Sequence, residues 1–146
     1  MASTSQLETL IDMARRETDD SAKRLGAALK AVGDAEEKLK MLAGYRDEYG
    51  RRFDASQQAG ITPMAYRNFQ AFMEKLDTAV RGQEDMVRHA QKRSEMEKAR
   101  WQEAERKRMS YTTLRDREAA KQLAVEAKRD QKAMDEHAAR GAFYKR

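Results

Sequence analysis

Apolar residues recur along the first third of the chain at alternating spacings of three and four, the pattern of a helix that buries one narrow stripe. Eleven of the fourteen stripe positions are apolar and only one, Arg46, is charged. So regular a stripe predicts the seam of a coiled coil, along which two helices interlock. The stripe positions are Leu7, Ile11, Ala14, Thr18, Ser21, Leu25, Ala28, Val32, Ala35, Leu39, Leu42, Arg46, Tyr49 and Phe53.

Local signals predict where this first helix begins and ends. Ser5 and Glu8 form a capping-box pattern, which predicts a start near residue 6. Gly60 suits the carboxyl end of a helix, Thr62 can cap the next helix, and Pro63 fits its first turn. We therefore expect helix 1 over about residues 6–58 and a turn at 59–62.

A second apolar periodicity follows the turn, with a thinner stripe. Ser94 and Glu97 stand where apolar residues would continue it, which predicts a slip of register there. Gly141 is expected to end this helix, so helix 2 spans about residues 63–140. The stripe comprises Tyr66, Phe69, Met73, Leu76, Val80, Val87, Ala90, Trp101, Ala104, Tyr111 and Leu114.

Two long helices joined by a tight turn run antiparallel. The predicted fold is therefore all-α: an antiparallel two-helix coiled-coil hairpin, with residues 1–146 forming a single elongated domain. Beyond about residue 118, helix 2 has no residues of helix 1 opposite it. Residues 118–140 are thus expected to form an unpaired carboxyl-terminal overhang, which is marginally stable as a lone helix.

The composition agrees with an elongated helical protein and removes several classes of chemistry. The chain is 38% charged and 40% hydrophobic, with a single proline and a mean hydropathy of −1.00. It has no cysteine and two histidines, and it has no glycine-rich phosphate loop, nucleophile–histidine pair or ligand cluster. We therefore expect no enzyme activity, catalytic residue, metal or cofactor. No apolar run reaches the ~20 residues of a membrane span, so we expect a cytosolic protein.

Charge is distributed unevenly along the chain. Residues 1–86 hold 13 basic and 15 acidic side chains, a net charge of −2, whereas residues 87–146 hold 17 and 10, a net charge of +7. The basic half favours an acidic partner, which is nucleic acid, anionic lipid or the lining of another protein. In the nucleic-acid alternative Trp101 and Tyr111 would stack on bases and nearby basic residues would contact phosphates: Arg100, Arg106, Lys107 and Arg108. The opposing interpretation places both aromatics in the seam, beside a face on which acids neutralise the bases.

A second apolar strip lies beside the seam on each helix, about 70° to one side in the same rotational sense. The reversal at residues 60 and 61 sets residues whose numbers total about 121 opposite each other, so both strips meet on one side of the hairpin. We call this surface the wing; its pairs are Lys38 with Gln83, Leu42 with Ala79, Tyr45 with Leu76, and Tyr49 with Phe72. It is either a protein-binding surface or additional core, with Leu42, Tyr49 and Leu76 in the seam.

Six segments of the chain resemble the flagellar FliJ proteins in the same order and spacing. They are "LETLIDMARRETDDSAKRLG", "AEEKLKMLAGYRDEY", the "GI" turn, "NFQAFMEKLDTAV", "TLRDR" and "DQKAMDEHAAR". The resemblance covers nearly the whole chain.

This resemblance implies a cytoplasmic component of the flagellar type III export apparatus, associated peripherally with the inner membrane at the flagellar base. Proteins of the family are hairpins similar to the central stalk of rotary ATPases. They enter the ring of the hexameric export ATPase, FliI, and promote its assembly. They also bind the cytoplasmic region of the export-gate protein FlhA, and they interact with export chaperones; no small-molecule substrate is implied.

The resemblance also assigns residues. The gate-binding patch corresponds to the wing, although Lys38 and Gln83 differ from the family's pattern at its polar ends. The chain ends, residues 1–25 and 118–140, correspond to the part held by the ATPase ring. Candidates for ring contact there are Leu7, Ile11, Leu123, Lys128, Arg129 and Met134.

Overall fold

A computed structural model describes residues 4–144, which form two long helices packed against each other and contain no strand. Helix α1 spans Thr4–Ala59 and helix α2 spans Pro63–Tyr144. The all-α helical hairpin is confirmed. Its contacts divide into two units: a shaft unit, Asp20–Gln102, and an end unit made of the described residues before and after it. The expectation of a single domain stays a prediction.

The chain reverses between the helices through the residues that the sequence indicates. Gly60 has a φ of 89°, a left-handed conformation that suits glycine, and its N–H donates to the Gln57 carbonyl at 3.2 Å. The Thr62 hydroxyl oxygen accepts a hydrogen bond from the Ala65 N–H at 3.2 Å, which is amino-terminal capping. Pro63, whose missing N–H needs no partner there, is the first residue of α2.

The outer helix ends differ from those expected. Helix α1 includes Thr4, so Ser5 lies within the helix rather than capping it. Helix α2 continues through Gly141 to Tyr144. Because an interior glycine costs a helix only about 1 kcal/mol relative to alanine, Gly141 without a following proline does not stop it.

In the end unit, α1 buries its stripe almost completely. Leu7 is 7% exposed, Ile11 0% and Ala14 3%, and Ala104 of α2 is 5% exposed. Two ion pairs join the helices of this unit: Glu8 with Arg115 at 3.7 Å and Glu17 with Lys107 at 3.9 Å. The long charged side chains thus bridge from one helix to the other beside the buried stripe.

In the shaft unit the seam is partly polar. The α1 stripe there is buried or half-buried except at Arg46, which extends outward to pair with Asp77. On α2 the predicted slip is wrong, because residues 83, 87, 90, 94, 97 and 101 keep the spacing of three and four and are all buried or half-buried. A pattern of apolar residues alone misses this continuity, because three of the six positions are polar: Gln83, Ser94 and Glu97.

Five aromatic residues pack together in the shaft unit beside the turn. The Phe53 ring lies 5.5 Å from that of Tyr66 and 5.2 Å from that of Phe69, between ring centroids. Tyr49 lies 5.2 Å from Phe69 and 4.5 Å from Phe72. Tilted aromatic pairs at these distances contribute about 0.5–1.5 kcal/mol each beyond the area they bury. Because the rings alternate between α1 and α2, this aromatic cluster fixes the register of the helices next to the turn.

Phe69→Ala is expected to lower the free energy of unfolding by about 2 kcal/mol, because it removes two ring contacts and leaves a gap between the helices. Urea unfolding followed by circular dichroism measures this change. Phe143→Ala is the matched control, since Phe143 is 77% exposed and should leave the midpoint unchanged. Equal effects of the two substitutions would contradict a structural role for the aromatic cluster.

A charged cluster lies inside the shaft unit at Glu97, which is 6% exposed. Its Oε1 accepts a hydrogen bond from Arg100 at 3.2 Å, and its Oε2 lies 3.7 Å from the Arg24 Nε without a hydrogen bond. The arginine side chains are 52% and 60% exposed, so solvent screens them while the carboxylate is desolvated. The cluster therefore contributes less to stability than an apolar side chain would at the same position.

Glu97→Leu is expected to raise the free energy of unfolding by about 1 kcal/mol or more, because a buried carboxylate is exchanged for an apolar side chain and both arginines keep access to solvent. Thermal unfolding by circular dichroism tests the change against Glu103→Leu, at a residue whose side chain is 74% exposed. A lower melting temperature for Glu97→Leu alone would show that the ion pairs stabilise the hairpin.

Candidate protein-binding site

Four wing residues meet in a shallow groove of about 340 Å³ in the shaft unit. Tyr45 and Tyr49 come from α1, and Phe72 and Leu76 from α2. Tyr45 is 54% exposed and Phe72 45%, whereas Tyr49 and Leu76 are half-buried. The groove thus has an apolar floor shared by both helices and two aromatic side chains that remain open to a partner.

The floor of the groove is held in place from below. Tyr49 packs against Phe72 on one side and against Phe69 of the aromatic cluster on the other. At the edge, the Arg52 guanidinium donates to the Glu48 carboxylate at 3.0 Å, one helical turn apart. Aromatic side chains bordered by a polar rim are typical of protein-binding surfaces.

The other four wing residues do not line this groove. Leu42 is half-buried, while Lys38 and Ala79 are exposed. The expected place of Gln83 on the wing is wrong, because this side chain is 8% exposed and donates through Nε2 to the Ala35 carbonyl at 3.0 Å. A glutamine can bury its stem in the seam when its amide finds a backbone acceptor across the hairpin.

The wing residues differ in burial, so the additional-core interpretation applies to only some of them. The half-buried Leu42, Tyr49 and Leu76 fill additional core, as that alternative expects. Additional core does not explain Tyr45 and Phe72, which are about half exposed, or Lys38 and Ala79, which are also exposed.

The shaft unit also has a second, polar groove of about 410 Å³, which sequence reasoning missed. Arg46 donates to Asp77 across the two helices, and this hydrogen bond raises the pKa of Arg46. The sequence signal for this groove is Arg46, the one charged residue of the α1 stripe. The lining comprises Ala43, Arg46, Asp47, Asp77, Val80, Arg81 and Glu84, and their charges already pair within the chain or face water.

The candidates for ring contact fall into two sets. Leu7 and Ile11 are buried in the end unit, so their side chains have no surface to offer a partner. The other four lie in the stretch from residue 119 to 144, every residue of which is exposed. They are Leu123, Lys128, Arg129 and Met134.

The candidates for nucleic-acid contact are occupied by contacts within the chain. Trp101 and Tyr111 are half-buried at seam positions of their units. Arg108 hydrogen-bonds Glu105 and lowers the pKa of that carboxyl, while Arg106 lies 3.4 Å from Glu103. Acids one turn away thus neutralise the bases, which favours the seam interpretation.

Across residues 4–144, no group of three or more acidic, histidine or cysteine side chains is arranged to hold a metal ion. In the same range, neither helix has a stretch that is long and apolar enough to cross a bilayer.

Comparison with known proteins places the chain in a family. The model of the family described as "Flagellar FliJ protein" matches residues 3–146. A flagellar FliJ protein of Salmonella typhi is 34% identical over 145 residues, and one of Escherichia coli (strain K12) is 33% identical over 145 residues. Each alignment covers 99% of both chains. The chain, with its helical hairpin and aromatic groove, belongs to the flagellar FliJ protein family.

Proposed function

We propose that this chain is a non-enzymatic stalk that couples the hexameric export ATPase, FliI, to the export-gate protein FlhA. Membership of the FliJ family implies a role in flagellar export. The observation that carries the proposal is the aromatic groove, because it gives a member of this family an open apolar surface whose rings pack against each other.

In this proposal the gate protein docks on the groove. Tyr45 and Phe72 insert beside apolar side chains of FlhA, and Glu48 and Arg52 form the polar rim. Half-exposed aromatics lose little conformational entropy on binding, since they have two side-chain torsions and Phe72 already packs against Tyr49. The central pair should therefore supply most of the binding energy.

The ATPase ring surrounds the exposed carboxyl-terminal part of α2, residues 119–144. A helix of that length without a packing partner is marginally stable, so a surrounding protein would stabilise it. One helix inside a ring of six subunits contacts only some of them at a time, and it can thereby bias their conformations in turn. The buried Leu7 and Ile11 are left out of this contact.

Hydrolysis in this proposal belongs entirely to the ring. The stalk is held at the membrane indirectly, through the gate protein, as a peripheral component on the cytoplasmic side. Export chaperones are further partners, by family resemblance.

Tyr45→Ala combined with Phe72→Ala is expected to weaken binding to the cytoplasmic region of FlhA at least about tenfold, because it removes both open aromatics of the groove. Isothermal titration calorimetry measures the affinity, and circular dichroism checks that the hairpin remains folded. Leu29→Ala with Met64→Ala is the control, since both side chains are more than half exposed and neither lines the groove. Undiminished binding by a folded Tyr45/Phe72 variant would refute the gate site.

Lys128→Glu combined with Arg129→Glu is expected to raise, by about fivefold, the concentration of this protein that half-maximally stimulates FliI hydrolysis, because exposed basic contacts to the ring become repulsive. Phosphate release measures hydrolysis, and negative-stain microscopy counts assembled rings. The control is Lys92→Glu with Arg93→Glu, which makes the same charge change on exposed residues outside the overhang. No stimulation by the unmodified protein would count against the stalk function itself.

A further inference from the structure

The outer side of α2 in the end unit carries a depression that neither the wing nor the overhang includes. It has a volume of about 620 Å³ and is lined by α2 alone. Ser110 and Thr113 form its floor, and longer side chains surround them. Met109 is 56% exposed and Leu114 is 50% exposed, so the expected place of Leu114 in the seam is wrong and the residue belongs to this outer face. The full lining is Arg106, Met109, Ser110, Thr113, Leu114 and Arg117.

The six lining residues lie on one face of α2, at the spacing of two adjacent holes of a coiled coil. In a coiled coil each knob enters a hole made by residues i, i+3, i+4 and i+7. Residues 106, 109, 110 and 113 form one such hole, and residues 110, 113, 114 and 117 form the next. Both holes share the small Ser110 and Thr113 as floor, so two successive knobs of a third helix can enter them.

The charge beside the two holes indicates that a partner helix would be acidic. Two of the six lining residues, Arg106 and Arg117, are basic and none is acidic. Within residues 4–144, Arg117 forms no ion pair. Among the described residues Arg106 pairs only with Glu103; both side chains are about three-quarters exposed, so this weak pair is readily exchanged for another. The two arginines lie at opposite ends of the depression, about 16 Å apart along the helix.

We propose that this outer face binds an acidic amphipathic helix of another protein. Apolar knobs of that helix enter the two holes and contact Met109 and Leu114, while flanking carboxylates pair with Arg106 and Arg117. A second copy of this chain is disfavoured, because the same face would bring net charges of like sign together. The proposal is independent of the gate and ring contacts, since its residues lie outside both.

The test uses the full-length protein and a fluorescent three-heptad peptide with leucine and alanine core positions and glutamate flanks. We expect saturable binding, about tenfold weaker for Arg106→Glu with Arg117→Glu because two attractions become repulsions. Lys92→Glu with Arg93→Glu is the matched control and should bind within about twofold of the unmodified protein, as both residues are exposed and lie in the shaft unit. Ser110→Gln with Thr113→Gln fills the floor without changing charge and should also weaken binding.

Four outcomes would overturn the proposal. One is equal binding by the charge-reversed and control variants, and another is equal binding of a peptide with lysine flanks. A third is a dimer, detected by light scattering, that the charge reversal dissociates, since the occupant would then be a second copy. The last is tighter binding of a single-stranded RNA oligonucleotide that the same reversal abolishes. Circular dichroism of each variant separates loss of binding from loss of fold.

Discussion

The reversal of the chain at Gly60–Pro63 is the constraint on which the other contacts depend. A left-handed glycine, a threonine cap and a proline fix where one helix stops and the next begins, so they also fix which residues face each other. The pairs Tyr49–Phe72 and Arg24–Glu97 both total 121, as a hairpin folded at this turn requires. A residue inserted there would move each side chain of the groove away from its partner on the other helix. The aromatic cluster next to the turn reinforces the same register with rings from both helices.

Much of this arrangement could be predicted because it rests on periodicity and turn chemistry, which are local properties. The α1 stripe from Leu7 to Phe53, the cap at Thr62 and the placing of Tyr45 beside the seam follow from spacing alone. Rotational position also predicts that Tyr49 and Phe72 meet across the helices, and their ring centroids lie 4.5 Å apart. The exposed carboxyl-terminal part of α2 follows from the unequal lengths of the helices, 56 and 82 residues.

The remaining features depend on partners that an apolar pattern does not encode. Gln83 enters the seam because the Ala35 carbonyl accepts its amide, and Glu97 enters it between two arginines. Periodicity that counts only apolar residues therefore finds a slip where the geometry is continuous. Leu114 shows the converse, an apolar residue near the stripe that faces outward. Whether an apolar residue faces a partner helix or the solvent depends on both helices. Leu7 and Ile11 are buried, as their place in the stripe predicts, which conflicts with their assignment to ring contact.

The aromatic cluster has a consequence for the order in which the chain folds. Phe53 and Tyr66 are separated by 13 residues, whereas Glu8 and Arg115 are separated by 107. Loop-closure entropy grows with the length of chain between two contacts, and local contacts form faster than distant ones. We therefore expect a nucleus at the turn, followed by pairing that proceeds outward along both helices. On the ribosome, the first turns of α1 are synthesised first and are among the last to find their partners on α2.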